Sequence, residues 1–308
     1  MIDNPTKHMA RCLLVCLAIS NLIVWSLACN PVNSRESIDE YKCANAAPSL
    51  DKRRQISERL RNLRFNLPEE RKPGTVTIPV YFHILTTKDE KEGLVSKADV
   101  LKQIDVLNAA FSGKGKPGVN GIDTPFRFEY ADMEVTPNDE WFGMAYDDDP
   151  TKAERDAKEK LNIKDPAVLN IYTARLAFHR YGWARWPWDI AKGVDGIVLR
   201  YSTLPGGSTY HFNEGDTATH EVGHWLGLFH TFEGGCNFPG DGMSDTPAEA
   251  GQGEGCPPNS NSCPDDPGDD PVWNFMDTTW DRCMYTFTSE QSEHMDAIHL
   301  EYRTKKDS

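Results

Sequence analysis

The chain has 308 residues, 39% of them hydrophobic, and a formal net charge of -14. That is long enough to bury a sizeable core as one large domain or two modest ones. The acidic balance, with no basic stripe after residue 75, argues against nucleic acid and anionic membrane surfaces as partners.

In chain order, Lys7 and Arg11 precede the apolar run "CLLVCLAISNLIVWSLA", which closes on Ser26 and Ala28 at a signal-peptidase spacing. Residues 1–28 are therefore expected to be a signal peptide, making the protein secreted and extracellular, with no membrane association after cleavage. An uncleaved anchor is the alternative, at the short edge of membrane-spanning length. Cleavage leaves six cysteines, Cys29, Cys43, Cys236, Cys256, Cys263 and Cys283. An even number in an oxidising compartment reads as disulfides. Residues 29–73 carry a charged, helix-like stretch ending at a Pro-Gly breaker, a propeptide-like extension with "DKRR" and "EERK" as processing tracts.

Residues 74–308 read as one domain. "TVTIPVYFHIL" alternates and is rich in β-branched and aromatic residues, a first strand. In "KADVLKQIDVLNAAF", Val100, Leu101, Ile104, Leu107 and Phe111 are expected on one helical face. "FRFEYADMEV", "AVLNIYTA" and "DGIVLRYS" read as further strands, the last as the sheet's edge, and "TKAERDAKEKLNI" as a surface helix. The fold class is therefore α+β, with a mixed α/β, mostly parallel sheet. A helix follows, "GDTATHEVGHW", with Asp216 or Thr217 as N-cap, then a Gly/Pro/Asp-rich cysteine region and a closing helix opened by a Thr288-to-Gln291 capping box.

"HEVGHWLGLFH" carries the chemistry. His220 and His224, four apart on a helix, stand one above the other and direct two imidazoles to one point. Glu221 sits beside them as a general base. His230 reaches the same ion only where the chain turns, and Gly227 permits the turn. Three neutral imidazoles leave zinc one open position, the arrangement of a catalytic and not a structural site.

His-Glu-x-x-His-x-x-Gly-x-x-His followed by "NFMD", with Met276 in the position of a methionine turn, is the metzincin pattern. With "TATHEVGHWLGLFHTF", "SDTPAE", "GCP" and "SCP", the chain resembles the pappalysin family of metzincins, in its small secreted branch of ulilysin-like and fungal extracellular metalloproteases. The resemblance covers about residues 75–303 and implies a zinc endopeptidase, one zinc ion per subunit, with a loop-rich C-terminal half. It implies disulfides Cys236–Cys263 and Cys256–Cys283, where the sequence alone allows three pairings. It also points to a second cation, calcium, at Asp241, Ser244, Asp245 and Thr246; an Asx-type turn cap is the plainer reading. Cys43, in "YKCAN", stands where relatives carry a zymogen thiol that fills the open zinc position, although Ala44 replaces the usual glycine and Cys29 is available as a disulfide partner.

Thr278 departs from the tyrosine that relatives carry after the turn methionine, a donor to the oxyanion; Tyr285 and Trp280 are the substitutes the sequence offers. Asp281 is expected near the pocket for the residue after the scissile bond, favouring basic side chains. The leading reading is a monomeric, secreted zinc endopeptidase acting on extended protein or peptide substrates. The alternative, motivated by Thr278, is a secreted zinc-binding protein that is catalytically weak or inactive.

Overall fold

A computed structural model describes residues 43–66, 71–178, 180–237 and 239–304, with the side chains of 63–66 excluded. The signal segment, Cys29 and the glutamates of "EERK" lie outside the described residues. So does the first part of the amino-terminal extension.

The sheet has five strands: β1 (Val76–Thr86), β2 (Phe126–Pro137), β3 (Leu169–Ala174), β4 (Gly182–Ala184) and β5 (Ile197–Arg200), in the order β2-β1-β3-β5-β4. The first three pairings are parallel, and β4 closes the sheet antiparallel to β5. "GIVLRYS" is thus an inner strand, not the edge. The edge belongs to "GWA" from the Trp-rich stretch, whose three residues are all buried and so show no alternation by which a strand could be read.

Helices cover both faces, as a mostly parallel sheet requires. On one face Ile78, Val80, Phe82 and Ile84 of β1 pack with α2 (Lys97–Phe111) and α5 (Asp216–Trp225). On the other, Tyr172, Trp183 and Val198 pack with α3 (Asp139–Phe142) and α4 (Lys152–Leu161). In α2, Val100, Ile104, Leu107 and Phe111 face inward as expected, but Leu101 is 41% exposed. Gln103 is buried instead, and its Nε2 donates to Gly215 O at 2.9 Å, tying α2 to the start of α5. α4 departs from a surface helix: Glu154 and Lys158 are fully buried and pair at 2.9 Å, with Arg185 on the same carboxylate. Burial alone would raise Glu154, yet Lys158 and Arg185 hold it down at about 2.

Before the sheet, α1 (Leu50–Asn66) contains the "DKRR" tract and lays Ile56 and Leu60 on Ala297 and Ile298 of the closing helix α6 (Ser289–Ile298). Arg71 of the second tract donates to Asp296 Oδ1 at 2.6 Å. The chain between α5 and α6 is largely irregular and is stapled by disulfides Cys236–Cys263 and Cys256–Cys283, whose Cα separations are 5.5 and 5.7 Å. α6 opens on the Thr288–Gln291 capping box. Among the described residues no helix is long and apolar enough to cross a membrane.

Candidate metal centre and cleft

α5 begins at Gly215, an N-cap with φ +102° and no side-chain cap of its own. A carboxylate comes to this end from far along the chain: Asp281 Oδ2 accepts the Glu214 N–H, just before the cap, at 2.8 Å. A carboxylate at this end suits the helix dipole. Neither Asp216 nor Thr217 is the N-cap. The helix stops at Trp225, and Gly227 with φ +86° turns the chain back, its α-carbon so close to Ile298 that a β-carbon would meet Cγ1 at 2.8 Å.

That turn brings His230 to His220 and His224. The Nε2 atom of His224 lies 3.1 Å from that of His220 and 3.1 Å from that of His230. His220 Nδ1 and His224 Nδ1 each lie 2.7 Å from a backbone carbonyl, of Phe275 and Leu228, so both must donate there. In the neutral rings the inward Nε2 atoms are then bare lone pairs. Burial, and then the neighbouring histidines, hold His224 well below the usual imidazole range, and the same causes act on His230. Lone pairs crowded at 3.1 Å repel one another unless a cation sits among them. Tetrahedral zinc with Zn–N of about 2.0–2.1 Å needs nitrogens roughly 3.3 Å apart, so the donor set fits zinc.

The fourth corner is a thiol. Cys43 is free and buried, and its Sγ and the three imidazoles all lie within 4.8 Å of one another. The Cys43 thiol donates to Glu221 Oε2 at 3.7 Å. Glu221 is fully buried and its Oε1 has no hydrogen-bond partner. Burial pushes the Glu221 carboxyl well up, and the Cys43 hydrogen bond draws it down only in part. Burial and the nearby Glu221 likewise raise the Cys43 thiol.

Met276 lies beneath, fully buried, with its Sδ against the α-carbon of Gly223, where a β-carbon would come within 2.3 Å. The same turn supplies Phe275 O to His220 and Met276 O to the Thr231 N–H at 3.2 Å. The Trp-rich stretch forms the wall, with the Trp186 ring edge-on to His224 at 5.3 Å and stacked on Trp188 at 5.1 Å. Beside the histidines a pocket is lined by Tyr181, Asp216, Glu221, Thr278 and Asp281. Neither Tyr285 nor Trp280 lines it; Tyr285 packs on Trp273, and Trp280 stacks on His211 at 3.5 Å. His83, inside the sheet, is held by Asn170 and Glu134 and has no part here.

The calcium set is brought together only in part. Asp241 and Thr246 are buried, whereas Ser244 turns its backbone N–H to Glu290 and Asp245 Oδ2 accepts from Glu290 N at 2.9 Å, capping α6. Asp281 lines the pocket the sequence assigned it, but its hold on the start of α5 and the Trp wall had no local signal: one acts across a loop of more than sixty residues, the other reads as core.

Comparison with known proteins agrees with this geometry. Residues 169–299 match a peptidase family model described as Pregnancy-associated plasma protein-A. An extracellular metalloprotease of Colletotrichum graminicola is 34% identical over 300 residues, covering 93% of this chain and 99% of its own. Tannerella forsythia promirolysin superposes with a TM-score of 0.68 at 24% identity, over 85% of this chain and 97% of its own. Mature mirolysin from the same organism, in complex with a cleaved peptide, gives a TM-score of 0.61 at 26% identity, over 75% of this chain and 97% of its own.

Proposed function

We propose a hydrolytic mechanism for this chain, which belongs to the pappalysin family of metalloproteases and whose relatives are extracellular enzymes: a zinc-dependent endopeptidase in which Glu221 handles the proton. His220, His224 and His230 would hold the ion, oriented by the Phe275 and Leu228 carbonyls. A zinc ion supplies Lewis acidity to a water and to the scissile carbonyl. The observation that carries the reading is Glu221: a fully buried carboxyl with one oxygen unpartnered, next to the three imidazoles. A site that only binds zinc has no use for that group. With Cys43 displaced, Glu221 would accept a proton from the attacking water and return it to the leaving amine.

Peptide would enter extended along β4, the last strand at this end of the sheet, by strand addition once the amino-terminal segment has left it. The side chain after the scissile bond would enter the pocket floored by Asp216 and Asp281, which favours a basic residue. Burial raises both carboxyls, Asp281 to about 7, so attraction for such a residue strengthens as pH rises. Cys43 would keep the unprocessed chain latent by filling the fourth ligand position. Calcium at the 241–246 loop would find only Asp241 and Thr246 oxygens uncommitted to α6, its other ligands being backbone carbonyls and water.

Thr278 supports the second reading, a weak or inactive zinc-binding protein, because its short side chain lines the pocket where a longer donor would serve the oxyanion. The discriminating experiment uses a denatured protein mixture and the chain processed near residue 73, with mass mapping of the cut sites. Cleavage that stops with chelator, returns with zinc and falls at least about 10³-fold in Glu221→Ala at unchanged zinc content supports the peptidase. One equivalent of zinc without Glu221-dependent cleavage selects the binding protein.

A further inference from the structure

We propose that Asn45 is a second lock on the cleft, separate from the thiol: its carboxamide occupies the main-chain hydrogen-bonding pair of Ala184 that an incoming peptide would use. The inference rests on the peptidase reading above. In an antiparallel pair, alternate residues turn both backbone groups to the partner strand. β4 pairs with β5 through Trp183 and Val198, so Gly182 and Ala184 direct theirs outward. The amino-terminal segment takes those groups. Cys43 bridges Gly182 in parallel sense, and the Ala44 N–H donates to Gly182 O at 3.1 Å.

At the next station a side chain replaces the backbone. Asn45 Oδ1 accepts the Ala184 N–H at 2.8 Å, and Asn45 Nδ2 donates to Ala184 O at 3.0 Å. A carboxamide carries the same donor and acceptor as a peptide group, so Asn45 imitates one residue of an added strand while the main chain beyond it is free to leave the sheet. It is 5% exposed, so no water competes freely for these bonds. Its own N–H donates to Cys43 Sγ at 3.3 Å, which joins the two locks through a single residue. A peptide seeking β4 must therefore displace the amide as well as the thiol.

Two measurements on the full-length, zinc-loaded chain test this. The first is the rate of Cys43 alkylation by iodoacetamide, read by mass mapping at Cys43 so that other thiols do not interfere; it needs no turnover. Asn45→Ala should raise it about tenfold or more, the worth of two buried hydrogen bonds, and Asn45→Asp, which keeps only the acceptor, by less. The second places Asn45→Ala in a Cys43→Ser chain, where the thiol lock is already gone. There KM for a fluorogenic peptide should fall several-fold with kcat unchanged, the mark of a removed competitor. An unchanged alkylation rate in a folded Asn45→Ala chain overturns the proposal. So does an unchanged KM, which would mean that Asn45 only shapes the Cys43 segment. Absence of turnover in every variant and in the processed chain counts against the peptidase reading, and the alkylation rates then decide for Asn45.

Discussion

Gly182 stands at the point where the edge strand meets the carboxylate of Glu221. A β-carbon there would lie 2.8 Å from Glu221 Oε1, 2.9 Å from its Cγ and 3.0 Å from Val198 O. Rotating the carboxylate alone relieves the first contact but not the other two, since Cγ moves only if the whole side chain swings away and the Val198 carbonyl is held in β5. Gly182→Ala should therefore push Glu221 off its position while leaving the histidines alone. In the processed enzyme we expect kcat to fall about 10²-fold with zinc content unchanged; wild-type kcat would show that the strand yields instead. His220, Glu221, His224, Gly227 and His230 were legible in sequence because their chemistry is local to one helix and one turn. Gly182 was not, since its role exists only against a side chain from another element.

At the scale of the element, α5 carries two of the three clustered histidines and Glu221 on ten residues, too short a helix to hold itself in water. Its ends are held from outside. Asp281 holds the Glu214 N–H just ahead of the first turn, and at the last turn Arg303 stacks on Trp225 at 3.8 Å, donates to Trp225 O at 3.1 Å and pairs with Asp195 at 2.6 Å. Asp195 also accepts from Trp225 Nε1 at 3.1 Å. Because Arg303 is fully buried, burial depresses its guanidinium, and its removal would strand the Asp195 carboxylate. Arg303→Met should cost about 3–5 kcal/mol in urea unfolding, and adding Asp195→Leu should recover part of that loss. A single variant within about 1 kcal/mol of wild type would show the pair to be dispensable. The histidine spacing located α5, while its supports escaped because charged residues in a loop or far along the chain ordinarily read as solvated.

At the scale of the whole molecule, the sheet-bearing half was legible from strand composition and helical periodicity, apart from Leu101, whose place Gln103 takes, the buried charges of α4, and the three-residue edge that leaves β5 inside the sheet. The half after α5 has no such pattern; its disulfide pairing came from family resemblance, and beside Phe275, Met276 and Phe287 it also buries several acids. Asp241 and Asp281 are raised by burial to about 7, and Glu249, buried and beside Asp277, to about 8. An acid whose folded pKa is raised binds its proton more tightly folded than unfolded, so its stabilising contribution is lost as pH climbs from the unfolded value to the folded one. Groups pulling the other way act lower: His299, depressed to about 3 by burial, and Glu154, held at about 2, both favour the fold more as pH rises, but their windows close near pH 6.5 and pH 4.5. Between pH 6.5 and 8.5 the raised acids outnumber the one lysine, Lys158, that burial lowers and that pulls the other way, and each acid is worth at most about 1.4 kcal/mol per pH unit while it stays protonated in the fold. The urea midpoint of the intact, disulfide-bonded chain should therefore fall across this window, and calcium should shrink the fall if it replaces the proton on Asp241. A flat or rising midpoint would mean that these carboxyls are already ionised in the folded protein, with cations or water reaching them inside the loop half.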